Sequence, residues 1–156
     1  MIEVKDGNRT LYVDGVLIGK STSYRRGSTR WIEFDLYKTV GGQYVLSRIG
    51  VSLVYHGAAC SLVATYNLQE LPFNETHRDS IPCDRCNPDE SADLVFPEKN
   101  RYWAQVSDQA TAVLDALYKY DDGGARYLTN VAQRLLEEAA KRDKDIAEVY
   151  RFEIIK

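Results

Sequence analysis

Histidine and cysteine are scarce in this sequence, with two and three among 156 residues, and methionine occurs once. No apolar run approaches the ~20 residues a membrane-spanning helix needs, so no membrane partner is expected. The opening Met1-Ile2-Glu3-Val4-Lys5-Asp6 lacks the basic start and apolar stretch of a signal peptide. The expected location is therefore cytoplasmic. Thiols stay reduced there, and clustered cysteines are read as ligands before they are read as disulfides. Catalytic signatures are missing too. There is no His-Glu-x-x-His and no Gly-x-Ser-x-Gly. With so few histidines, a Ser-His-Asp or Cys-His site would have to consume a candidate metal ligand. Gly15 to Ser21 has three residues between its glycines where a phosphate-binding P-loop has four, and it follows a turn signal. A strongly basic balance is also absent, because net charge is −3. The charge is uneven: residues 1–62 hold eight bases and five acids, the remainder twelve and eighteen.

What is present is the make-up of a folded domain, 44% hydrophobic and 28% charged. The expected class is α+β: an N-terminal antiparallel β-meander packed by two C-terminal helices, with a long zinc-clamped loop between. One domain over 1–156 suits the length. Residues 1–66 carry the strand patterns. Leu11–Val13 and Val16–Ile18 flank Asp14-Gly15, a hairpin turn signal. Ile32, Phe34 and Leu36 alternate onto one face. Gln43–His56 is long enough for one bent strand with a bulge at Gly50, and Cys60–Tyr66 suits a further short strand. Residues 67–100 contain all four prolines and little periodicity, which predicts an irregular loop that something must order. Residues 101–156 turn helical. Trp103, Val106, Ala110, Val113 and Leu117 follow a 3-4-3-4 spacing, although Tyr102–Val106 also suits a strand with Ser107 or Asp108 capping a shorter helix. Asp121–Gly124 ends this element. Leu128, Val131, Ala132, Leu135, Leu136 and Ala139 line a second helix. Ile146, Val149 and Tyr150 suit a last helical turn or two, and Phe152 with Ile154 a closing strand.

Every cysteine and histidine lies between positions 56 and 86. Random placement would give such clustering about once in a hundred. His56-x3-Cys60 and Cys83-x2-Cys86 are two chelating pairs, and two such pairs complete a tetrahedron. Sulfur-rich donors select zinc over magnesium or calcium, and four protein ligands predict a structural site with no open position. His77, six positions before Cys83, is the alternative fourth ligand. The arrangement resembles the two-knuckle layout of zinc ribbons and treble clefs over about 31 residues. It departs from them in having one His-x3-Cys knuckle. Pro82-Cys83-Asp84-Arg85-Cys86 also matches the P-C-x-x-C half of the zinc nucleobase deaminase signature. The H-x-E half fails, because Ala58 stands where that family has its proton-shuttling glutamate.

Tyr24, Arg25, Arg26, Arg30 and Trp31 place three arginines and two aromatics at a predicted hairpin tip. Arginine pairs with phosphate and aromatics stack on unpaired bases. A solvated turn is the plainer alternative. The expected function is a small zinc-stabilised binding or adaptor protein without catalytic activity, acting on a protein partner. The alternative is a nucleic-acid-associated protein, a binder, nuclease or toxin, that holds single strands through residues 24–31.

Overall fold

Asp6-Gly7-Asn8-Arg9 reverses the chain in a two-residue loop, with Gly7 at φ 59°. A side chain rarely adopts that conformation, so glycine suits the turn. The loop joins β1 (Ile2–Asp6) to β2 (Arg9–Val13) as an antiparallel hairpin. The turn expected at Asp14-Gly15 does not form a hairpin. It separates β2 from β3 (Gly15–Thr22), and the two strands belong to different sheets. Gly15 is needed for another reason: a Cβ there would collide with the Lys38 carbonyl of the paired strand.

The computed structural model describes residues 1–65, 68, 80–88 and 93–151. It has the α+β architecture expected, with antiparallel strands towards the N-terminus and helices towards the C-terminus. The chain divides into two compact units. The first is Met1–Tyr24, Ile32–Ile49 and Tyr102–Lys156; the second is Arg25–Trp31 and Gly50–Arg101. A four-stranded sheet has the order β3, β4 (Arg30–Thr39), β5 (Tyr44–Ser52), β9 (Asn100–Ser107). A register shift between Leu17 and Gly19 bulges β3 against β4.

In the first unit both faces of the sheet are covered. Phe34, Leu36, Tyr44 and Leu46 pack against α2 (Ala110–Leu117), α3 (Asn130–Ala140) and α4 (Lys144–Arg151). Val45 and Ala104, on the alternate face, pack against Val4 and Val13 of the β1–β2 hairpin. This is why Tyr44, Val45 and Leu46 are consecutively buried: a strand covered on both sides reads as an unbroken apolar run. α3 lies close on β3, where a Cβ at Gly19 would stand 3.2 Å from the Ala139 methyl. The Thr129 hydroxyl caps α3 by accepting from the Ala132 N–H.

Several expectations change here. Residues 101–107 are strand, which bears out the alternative reading of Tyr102–Val106, so Trp103 and Val106 do not share a helix face with Val113. Ala104 points into the core, while Trp103 and Val106 remain exposed. Neither Ser107 nor Asp108 caps α2; the cap position is Gln109, whose side chain makes no capping hydrogen bond. α2 stops at Leu117, and Asp121–Gly124 forms the tip of a small hairpin, β10 (Lys119–Tyr120) with β11 (Arg126–Tyr127). The Asp121 carboxylate closes that tip by accepting from the Gly123 and Ala125 N–H groups. Among the described residues the two expected helices are α2 and α3, and the last helical turns suited to Ile146, Val149 and Tyr150 are α4. The closing strand at Phe152 and Ile154 falls outside the described residues.

The second unit contains β6 (Val54–Gly57), α1 (Ser61–Thr65), β7 (Ile81–Pro82) and β8 (Leu94–Val95). β6 is the middle strand, parallel to β7 and antiparallel to β8. The bent strand expected over 43–56 is two strands broken at Leu53, whose N–H donates to the Thr29 carbonyl. Ser61–Thr65 is helix where a strand was expected. The stretch 67–100 is therefore not wholly irregular: it carries β7 and β8. No helix among the described residues is long and apolar enough to cross a membrane.

Candidate metal centre

Alternation along β6 sends Val54 and His56 to one face, and both are buried. After Gly57 the chain turns, with the Cys60 N–H donating to the Gly57 carbonyl at 3.0 Å. The Cys60 carbonyl accepts from Val63 at 3.0 Å, so Cys60 sits just before α1. On the other side of β6, the Ile81 N–H donates to Leu53 and the Cys83 N–H to Tyr55, at 2.8 and 2.9 Å. The parallel ladder thus extends to Cys83 and brings it level with His56. The chain then turns tightly, and the Arg85 N–H donates to the Cys83 sulfur at 3.4 Å. Amide donors to sulfur are the usual outer support of a thiolate ligand.

The result is a cluster of His56, Cys60, Cys83 and Cys86 whose donor atoms all lie within 4.8 Å of one another. They are close enough to hold a metal ion. His56, Cys60 and Cys83 are buried and Cys86 is half-buried. All three cysteines are free thiols. The Nδ1 atom of His56 is buried without a hydrogen-bond partner. A buried polar atom left so costs about 1–3 kcal/mol, which a bound ion would relieve.

The electrostatics favour ligation. Burial, followed by the nearby Arg30 guanidinium, holds the His56 pKa below its ordinary value, keeping the imidazole neutral with a free lone pair. Burial alone would raise the Cys83 thiol. The N–H groups of Arg85 and Cys86 and the thiols of Cys86 and Cys60 outweigh it and hold Cys83 below its ordinary value. At Cys86 the Gly57 backbone lowers the pKa, but burial and the Cys60 and Cys83 thiols push it up overall.

The two chelating pairs read from spacing come together as one cluster. His77, the alternative ligand, falls outside the described residues. Cys60 completes the donor set where a deaminase would keep a water, and Ala58 offers no acid. At the hairpin tip, Tyr24, Arg25, Arg26 and Arg30 are exposed and Trp31 is half-buried. Tyr24 ends a segment of the first unit, and Arg25–Trp31 belongs to the second. Arg25 and Ser28 close the turn through the Arg25 N–H to the Ser28 hydroxyl and the Ser28 N–H to the Arg25 carbonyl, with Gly27 at φ 86°. Spacing did not reveal Lys99 and Arg101, which share a cavity with Arg30 and His56. They lie about seventy residues along the chain from Arg30, and no local pattern links them.

Compared with known proteins, the chain matches no family model, no curated protein and no solved structure.

Proposed function

We propose that the four donors hold one structural zinc ion, and that the chain is a small cytoplasmic binding or adaptor protein without catalytic activity. The single observation behind this reading is the convergence of three thiols and one imidazole within 4.8 Å. Sulfur-rich sets favour zinc, and four protein donors leave no position for a reacting water. Tetrahedral zinc keeps its donors roughly 3.5–3.8 Å apart. A contraction of about 1 Å at most would bring the cluster to that size. The ion would tie the end of β6, the start of α1 and the turn after β7 together. Purified, tag-free protein should carry about one zinc per chain by elemental analysis. Less than about a tenth of an equivalent, after purification without chelator, removes the basis of the reading.

A second reading, binding of single-stranded nucleic acid, draws on the exposed turn that carries Arg25 and Arg26 with Arg30 following. Three arginines facing three phosphates would give a log–log salt slope of about −2 and micromolar affinity at best. Glu33, also exposed, opposes a polyanion nearby in sequence. A gel shift at low salt should lose its band when Arg25, Arg26 and Arg30 are all replaced by alanine. Absence of any wild-type band with DNA or RNA oligonucleotides leaves the adaptor reading alone.

A further inference from the structure

The second unit contains a cavity of about 270 Å³ into which Arg30, Lys99 and Arg101 converge. Backbone bonds fix the segments that carry them. The Ser52 N–H donates to the Lys99 carbonyl and the Leu53 N–H to the Thr29 carbonyl, each at 2.9 Å. The Arg30 Nε donates to the Ser52 hydroxyl at 3.5 Å. Among the described residues, none of the three cations forms a salt bridge with a carboxylate. Among the described lining residues Glu98 is the one acid, against three bases, an excess of two positive charges. Val51 and Leu62 supply an apolar wall, and both are buried.

We propose that this cavity binds a small phosphate monoester, its phosphate between Arg30, Lys99 and Arg101 and its carbon body against Val51 and Leu62. A phosphate monoester carries about −1.5 to −2 charges near neutral pH, which matches the excess in the walls. A single carboxylate would neutralise only half of it. Guanidinium groups bind phosphate oxygens in a bidentate fork, and arginine supplies two of the three cations. The volume is near the lower end of small-molecule sites, roughly 300–1,000 Å³, and suits a phosphate with one ring.

The test is titration of the 156-residue protein, as purified without chelator, with phenyl phosphate, followed by amide NMR. Saturable shifts are expected at Gly50, Val51, Ser52, Lys99 and Arg101. Arg101→Gln should weaken binding about tenfold or more, and Lys141→Gln, at an exposed position of the first unit, should leave it unchanged. Gly50→Val should also abolish binding by filling the cavity. A Cβ at position 50 meets the Arg101 Cβ at 4.0 Å, an ordinary contact, so the fold should accept it. Phenol in place of phenyl phosphate should give no saturable shift, and benzoate a much weaker one. The proposal is overturned if phenyl phosphate does not saturate, if Arg101→Gln binds as well as wild type, or if phenol binds equally. It is also overturned if short oligonucleotides displace phenyl phosphate equally well with and without a 5′-phosphate, because the cations then serve a polyanion.

Discussion

If the cluster holds the proposed zinc, Cys83→Ser protein should lose that ion and, with it, the folded structure around β6 and β7. The apolar cluster of this unit is small: Val54, Cys60, Leu62 and Cys83, with Val63 and Cys86 packed on it. Half of that cluster is the metal donor set itself. Burying two aliphatic side chains such as Val54 and Leu62 contributes roughly 1.5–3 kcal/mol each. Ordering the backbone costs about 1–2 kcal/mol for every residue held. Among the described residues of this cluster, packing does not offset that cost. Structural zinc supplies about 10–16 kcal/mol in small domains, which changes the balance. Removing one thiolate leaves three donors and an open position, and it also takes away the acceptor of the Arg85 N–H. Trypsin should then cut after Arg85, which is exposed in the turn between positions 83 and 86 that an ion would no longer close. Treatment of wild-type protein with a strong chelator should produce the same cleavage, and added zinc should reverse it. The helical circular dichroism should persist, since the core formed by Leu36, Leu135, Leu136 and Ile146 shares no residue with the metal cluster. Full stability and trypsin resistance in Cys83→Ser, alongside a lost activity, would mean a catalytic metal and a misassigned role.

The convergence of His56, Cys60, Cys83 and Cys86 was legible because chelating spacings are local. His-x3-Cys and Cys-x2-Cys each bring two donors together within one turn, and no other cysteine or histidine outside the window competes. What joins the pairs was not legible. β7 has two residues, too few for any periodicity, yet its parallel register on β6 sets Cys83 beside His56. α3 was legible for the opposite reason: eleven residues at a steady helical period behind a threonine cap. The junction at Asn100–Leu117 misled because Trp103 and Val106 happen to continue the spacing of Val113 and Leu117 backwards through a strand. In that strand the inward residue next to Trp103 is only Ala104, which gives alternation little contrast. Asp14-Gly15 misled because glycine has two uses. Here it permits close approach to Lys38 and not a reversal, and only the pairing partner reveals which. α1 is five residues long, shorter than the window over which helix and strand patterns diverge.

Asp143→Ala should destabilise the first unit by about 2–4 kcal/mol at neutral pH. Asp143 connects three elements. Its Oδ2 accepts from the Tyr44 hydroxyl at 2.5 Å and from the Ile146 N–H at 3.0 Å, the latter capping α4. Its Oδ1 lies 3.4 Å from the Lys38 ammonium, which itself sits 3.8 Å from the centre of the Tyr44 ring. Only 11% of the Asp143 side chain is exposed, so the ion pair is not a surface one. Alanine would remove the cap, worth about 1 kcal/mol. It would also leave the buried Tyr44 hydroxyl without an acceptor, at about 1–3 kcal/mol. Tyr44→Phe should cost less, because Asp143 keeps its cap and its lysine. The effect carries a pH signature. Burial alone would raise the Asp143 pKa, but the Tyr44 hydroxyl, the Ile146 amide and Lys38 outweigh it and hold it below its ordinary value. A carboxylate depressed in the folded state stabilises fully above its unfolded pKa of about 3.9 and loses that contribution as pH falls through the folded value. Tyr44 mirrors it. Burial and the Asp143 carboxylate raise the pKa of its hydroxyl, so its contribution is complete below about pH 10 and declines above. Urea unfolding across pH would measure both limbs. Wild-type stability should fall more steeply than that of Asp143→Ala between about pH 5 and pH 2, and the two curves should converge at the acid end. Parallel curves across that range would mean that Asp143 contributes packing and not charge.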